Sequence, residues 1–281
     1  MTRATMRDIR MAMLCGAVLA LLAGGCTGAP SGDDADRVQV SRERVVGQTA
    51  IPVYRYKVVQ TYPHDPTSYT EGLVMSDGFM YEGTGLYGLS RLRQYDLTSG
   101  RIIHEEPLDK MYFGEGVTVL NGAIYELTYL SNVGFTYDRA TFAKTGQFRY
   151  LTQGWGLTTD GKRLMMSNGS SSVLFLNPQS LAIEGHIYVS DNIGPVGFLN
   201  ELEYVKGKLY ANVWQTDFIA IIDPGTGKIT GWIDLGGLNP DPKVLKYPYV
   251  LNGIAYNEAT GHLLVTGKHW PAIYEIDLVP R

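Results

Sequence analysis

Short alternating runs of apolar and polar residues fill most of the chain, and one order of runs returns five times. Each round opens on a polar or aromatic residue, in most rounds followed by Gly, and then an apolar residue. The openings are Glu71-Gly72-Leu73, Glu115-Gly116-Val117, Trp155-Gly156-Leu157, Asn200-Glu201-Leu202 and Asn252-Gly253-Ile254, spaced 44, 40, 45 and 52 residues apart. Hairpin signals follow each opening: Asp77-Gly78, Asn121-Gly122, Asp160-Gly161, Lys206-Gly207 and Thr260-Gly261. A third strand then ends at Asp96, Asp138, Asn177, Asp223 or Asp277. Four short strands every 40 to 52 residues predict an all-β, five-bladed β-propeller. A β-sandwich has no reason to repeat one opening five times. The fifth round runs out of chain after Leu278, and the strand-like run Val53 to Tyr62 is expected to supply its missing fourth strand. Ring closure of that kind removes an exposed edge.

The first strand of a propeller blade lines the central channel, so equivalent positions face one another. The openings therefore bring Glu71, Glu115, Trp155, Asn200 and Asn252 to one mouth. About fourteen residues later come Gly85, Tyr129, Gly169, Trp214 and Lys268, which antiparallel second strands return to the same mouth. Carboxylates, amides, a lysine and two indoles are unlike a packing layer and suit a small-ligand pocket.

The N-terminus reads as export machinery. Arg3, Arg7 and Arg10 precede an apolar stretch, Met11 to Ala23, too short to span a bilayer. Leu22-Ala23-Gly24-Gly25-Cys26 is similar to a bacterial lipobox, which makes Cys26 the expected lipidation site and first mature residue. The expected organisation is a signal over 1–26, a flexible tether over 27–50 and the propeller over 51–281. The product is exported and held by its lipid in the periplasm or on the cell surface. Cys15 and Cys26 are the two cysteines, so the predicted domain has no disulfide, thiolate metal site or cysteine nucleophile. Charged residues are 19% of the chain and the net charge is -4, which excludes a nucleic-acid partner carried by basic surplus. A closed ring has no free edge, so a monomer is expected. No HExxH spacing, nucleophile elbow or phosphate loop is present. Two other readings stay open at this point: a non-catalytic binding propeller, and a metal-dependent propeller hydrolase drawing on Glu71, Glu115, Glu201 and Glu203.

Several long runs carry a family resemblance: YPHDPTSYTEGL, YEGTGLYG, YFGEGVTVLNG, GWGLTTDGKRL, NELEYVKGKLYANVWQTD and VLNGIAYNEATGHLLVTGKHWP. Together they resemble the plant and bacterial type of glutaminyl-peptide cyclotransferase, from about Tyr62 to Ile276. The resemblance implies a five-bladed fold and conversion of N-terminal glutamine, in peptides or as the free amino acid, to pyroglutamate with release of ammonia. It implies Glu115 as the catalytic acid–base group and Tyr69, Glu71, Phe113, Trp155, Asn200, Trp214 and Lys268 as the other pocket positions. Plant members more often carry Gln at the position of Glu71. On this reading Lys268 and Asn200 donate to the developing oxyanion. Glu71 holds the α-ammonium, while Tyr69, Phe113, Trp155 and Trp214 pack around the glutamine. No cofactor is required, and a structural calcium ion is compatible with the family.

Overall fold

The computed structural model describes residues 40–239 and 247–281. Each repeat read from the sequence folds as a run of antiparallel strands. The first comprises β2 (Thr70–Ser76), β3 (Phe79–Thr84), β4 (Arg91–Asp96) and β5 (Ile102–Pro107). The second comprises β6 (Gly114–Leu120), β7 (Ala123–Thr128), β8 (Val133–Asp138) and β9 (Lys144–Arg149). The third holds β10 (Leu157–Thr159), β11 (Leu164–Ser167), β12 (Ser172–Leu176) and β13 (Ile183–Tyr188). Strands β14 (Leu199–Val205), β15 (Lys208–Val213), β16 (Phe218–Ile222) and β17 (Ile229–Asp234) make the fourth. The fifth has β18 (Leu251–Asn257), β19 (His262–Gly267) and β20 (Ala272–Pro280), and β1 (Val53–Pro63) lies beside it.

The first three repeats are separate four-stranded sheets. The last two share an eight-stranded sheet in the order β14-β15-β16-β17-β1-β20-β19-β18. Strand β1 joins them: it runs antiparallel to β20 from Tyr54–Pro280 to Pro63–Ala272, and it meets β17 in parallel at Val53–Trp232 and Tyr54–Ile233. The run that precedes the first repeat thus takes the fourth place in the last one. The first and last strands of the described residues thus share one ladder.

Burial follows strand position. First strands are buried along most of their length, whereas β5, β13 and β1 are mostly exposed. Five apolar clusters fill the spaces between consecutive repeats, and the last closes the cycle by packing Leu73, Met80 and Tyr95 on Ala255, Leu264 and Ile273. A fully buried Leu, Ile or Phe contributes roughly 1.5–3 kcal/mol, so each repeat owes its core to both neighbours.

The first strands also touch in a cycle, β2 to β6 to β10 to β14 to β18 and back to β2. The glycines of the openings allow this approach. A Cβ on Gly72 would lie 2.3 Å from the Val117 nitrogen, and one on Gly116 2.4 Å from that of Leu157. In the fourth repeat Glu201 replaces the glycine. Its carboxylate crosses the channel to accept the backbone N–H groups of Leu73 (3.2 Å) and Ile254 (2.8 Å).

The tether expected over 27–50 is packed in its last part. Val40 and Val45 are buried in the cluster between the third and fourth repeats. The Arg44 guanidinium donates to Asp191 at 2.9 and 2.7 Å and to the Gly194 and Pro195 carbonyls. Two methyl-rich side chains and a fork-shaped ion pair fix this stretch, so residues 40–50 belong to the folded body. Residues 1–39, with the signal and Cys26, lie outside the described residues.

Candidate active site

Four opening residues are buried at the starts of their first strands or within one or two residues of them, and Trp155 sits just ahead of β10. Tyr129, Trp214 and Lys268 directly follow the second strands β7, β15 and β19. Both rings therefore gather at one end, as the antiparallel pairing requires. The two glycines of the second ring are seats for aromatic rings. A Cβ on Gly85 would stand 2.3 Å from Phe113 and 3.0 Å from Tyr69, and one on Gly169 2.6 Å from Trp155.

The aromatic side chains form a continuous wall. Ring centroids are 6.0 Å apart for Tyr69–Phe113, 5.8 Å for Phe113–Tyr129, 6.4 Å for Tyr129–Trp155 and 5.7 Å for Trp155–Trp214. Most of these pairs are edge-to-face, the arrangement favoured by ring quadrupoles. Phe198 extends the wall beyond Trp214, and the Trp155 indole N–H donates to Gln153 Oε1 at 3.0 Å.

A buried ion pair closes the ring. Lys268 Nζ donates to Glu71 Oε1 at 2.6 Å and stands 4.4 Å from the Tyr69 ring centre. Asn252 Nδ2 donates to Glu71 Oε2 at 3.2 Å and to the Thr70 carbonyl at 2.9 Å. Both Glu71 oxygens are thereby engaged. Burial raises its carboxyl above the ordinary value, and Lys268 pulls it back in part. Glu115 is pushed up much further: burial dominates, the Glu71 charge adds to it, and Lys268 opposes it.

Three acceptor atoms of the opening ring have no hydrogen-bond partner: Glu115 Oε2, Asn200 Oδ1 and Asn252 Oδ1. An unsatisfied buried polar atom costs about 1–3 kcal/mol, so three on one ring mark a place built for a ligand rich in donors. Asn200 is placed by its ring position; its own carbonyl accepts the Ser167 hydroxyl at 2.7 Å. Lys268 and Asn252 already occupy the Glu71 carboxylate, and the open acceptors belong to Glu115, Asn200 and Asn252.

The rows of the repeat already contained Asn252 and Tyr129, although neither was expected as a site residue. Register gave no hint of Gln153, Phe198 or Tyr247, whose hydroxyl accepts that of Tyr69 at 3.0 Å. Behind the pair sits another buried set. His64 bonds the Trp270 carbonyl through Nδ1 (2.7 Å) and Glu82 through Nε2 (3.0 Å); Glu82 also accepts the Thr70 and Ser68 hydroxyls. His64 thus braces the segments that carry Glu71 and Lys268. Burial pushes its imidazole down, but the Glu82 carboxylate, the Trp270 carbonyl and Asp65 together more than offset this and the net shift is upward.

Among the described residues no group of three or more His, Cys, Asp or Glu side chains is gathered to hold a metal ion. Glu201 and Glu203 spend their oxygens on backbone amides and the Thr158 hydroxyl instead. Among the described residues, Glu201 and Glu203 are therefore not gathered with Glu71 and Glu115 into a carboxylate cluster.

Comparison with known proteins gives the family. The family model for glutamine cyclotransferase matches residues 33–278. A glutaminyl-peptide cyclotransferase of Arabidopsis thaliana is 42% identical over 228 residues, covering 79% of this chain and 71% of that protein. The crystal structure of Myxococcus xanthus glutaminyl cyclase is 31% identical and superposes with a TM-score of 0.76 over 82% of this chain and 99% of the other. The chain belongs to the glutamine cyclotransferase family.

Proposed function

We propose that the chain is a glutaminyl-peptide cyclotransferase built on a five-bladed β-propeller, with the mouth of the opening ring as its active site. The observation that carries the site is the unpartnered, buried Glu115 Oε2 beside the Glu71–Lys268 pair, inside an aromatic wall. The closed cycle of first-strand contacts and the five inter-repeat clusters support the blade count.

The substrate's neutral α-amine attacks its own γ-amide carbon. A C–N bond forms and the carbonyl π pair moves onto oxygen. The ring nitrogen gives a proton to Glu115, which returns it to the amide nitrogen; ammonia leaves as the carbonyl re-forms. Glu115 ends as it began. Its raised pKa suits a group that must both take and give a proton near neutrality. The α-amine, with an ordinary pKa of about 7.7–8.0, is partly neutral there. Asn200 and Asn252 offer their open oxygens to the amine hydrogens. Lys268, anchored by Glu71, has N–H groups left for the oxyanion. Trp155, Trp214, Tyr69 and Phe113 hold the side chain in its cyclising rotamer; positioning of this kind can supply up to about 7–11 kcal/mol. Every step is carried by these side chains, without a cofactor.

The sequence features of residues 1–26 support export and lipidation at Cys26, with the domain a monomer tethered outside the cytoplasm. Loss of labelled-lipid incorporation in Cys26→Ser would test the anchor.

The activity test incubates the protein with a glutaminyl peptide and a chelator, and follows ammonia release and peptide mass. Loss of one ammonia per peptide, abolished in Glu115→Gln, is expected. A folded protein without turnover would move the reading to a binding propeller.

A further inference from the structure

The segment ahead of β1 grips one link of the active-site end. Asp191 lies on the link from β13 to β14, and the Arg44 guanidinium donates to both of its oxygens, at 2.9 and 2.7 Å. The same carboxylate accepts the backbone N–H groups of Ile193 (2.8 Å) and Gly194 (2.9 Å), while Arg44 also donates to the Gly194 and Pro195 carbonyls at 2.9 and 3.0 Å. Asn192 accepts the Thr49 hydroxyl at 2.9 Å and the Ala50 N–H at 3.3 Å. The link is thus held by the preceding segment at four positions. The Arg44 and Asp191 side chains are 9% and 0% exposed, so solvent does little to weaken the pair.

The link ends in the aromatic wall. The Phe198 carbonyl accepts the Trp214 N–H at 2.9 Å, just as Phe113 accepts that of Tyr129 at 3.0 Å and Tyr69 that of Gly85 at 2.8 Å. Phe198 is therefore the fourth repeat's counterpart of two wall residues, and its ring lies 6.0 Å from that of Trp214. Of the three, Phe198 alone takes a left-handed φ, +58°. A bulky residue is strained there and stays only where its surroundings over-determine it. On one side its N–H bonds the Gly169 carbonyl at 2.9 Å. On the other, Arg44 fixes the link three and four residues upstream, at Pro195 and Gly194. A link freed at that point has a lower-energy backbone open to it, one that turns the Phe198 ring away from Trp214.

We propose that Arg44 is a positioning residue for the cyclisation: through Asp191 and its link it holds the Phe198 ring against Trp214, and so sets the wall on which the glutamine side chain packs. The inference rests on the cyclotransferase reading and extends the working parts of the site to a segment ahead of the first strand.

The test measures KM and kcat of the full-length chain on a glutaminyl peptide for Arg44→Lys, Phe198→Gly and the double variant, well below each melting temperature. Arg44→Lys keeps the charge opposite Asp191 and loses the fork that reaches the link carbonyls. It should raise KM about fivefold with kcat within about twofold. Phe198→Gly removes the ring and relieves the left-handed strain, so it should raise KM as much without lowering the melting temperature. The double variant should match Phe198→Gly, because both changes act through one ring and their effects do not multiply. A clamp that serves stability alone would lower the melting temperature of Arg44→Lys and leave KM at the parental value. That result, an unchanged KM in Phe198→Gly, or two effects that multiply would each overturn the inference while leaving the cyclotransferase standing. If Arg44→Lys does not fold, Asp191→Asn takes its place with the same expectations. No turnover by the unaltered protein would remove the proposed function, and this inference with it.

Discussion

The same strands end in two different chemistries. At the far end, turns are short and locally satisfied. Asp96, Asp138, Asn177 and Asp223 each close the turn after a third strand by accepting backbone N–H groups two or three residues on. Gly78, Gly122, Gly161 and Gly207 sit at positive φ with nothing within 4 Å of an added Cβ. At the near end the links carry aromatic rings, buried charges and polar atoms without partners. These far-end residues lower the free energy of their own turns. The near end keeps groups that stability alone would discard, which is the signature of a site.

The comparison breaks first at Glu115. Glu115→Gln should lower kcat by about 10²–10⁴-fold and leave the melting temperature at or above that of the parent, since the amide removes a costly buried carboxyl. A near-parental kcat in steady-state assays would take Glu115 out of the reaction. The glycines offer the sharpest structural contrast. Gly72→Ala pushes a methyl into the Val117 backbone and should cost at least about 3 kcal/mol in denaturant unfolding. Gly78→Ala meets no atom and should cost about 1 kcal/mol of left-handed strain. Equal losses would mean that first-strand contact does not depend on the missing side chain.

Glu126 tests the cost of a buried carboxyl by pH. Burial pushes it up to about 8, against a weaker opposing hydrogen bond from Tyr137. Its folded pKa lies above the unfolded value of about 4.3. The stability it contributes is therefore present below about pH 4.3 and is lost as pH rises through 8. Glu126→Gln should match the parent's melting temperature near pH 4 and exceed it by several degrees at pH 9; parallel curves would disprove the shift. Trp214→Ala should raise KM about tenfold with little loss of stability. Unchanged kinetics and a large thermal loss would assign that indole to the core. Smallest of all, Asp138→Ala should remove about 1 kcal/mol of turn stability and leave kcat/KM alone, because it sits at the far end.

How far the site could be read in advance depended on register. Residues that recur in step with the repeat, such as Glu71, Glu115, Asn200, Trp214 and Lys268, were found by alignment of the chain with itself. Tyr247 follows no such row, and His64 lies ahead of the first repeat. Their contacts join segments 178 and 206 residues apart in the case of Tyr247–Tyr69 and His64–Trp270. No local pattern encodes a bond of that kind. The Glu71–Lys268 pair is of the same kind: its members lie 197 residues apart in sequence, and only the fold puts the ammonium on the carboxylate oxygen.

By itself, then, the sequence determined the strand period, the turn chemistry, the place of β1 beside the last repeat, and which residues share a mouth, because each of these depends on neighbours a few residues apart or on a repeated spacing. Tertiary structure decided which of the shared groups are paired and which stay open. Glu71 is paired with Lys268 and hydrogen-bonded by Asn252, Glu115 Oε2 is left without a hydrogen-bond partner, and Glu201 spans between backbone amides. Those outcomes are set by distances of a few ångströms across the channel, where burial magnifies every charge.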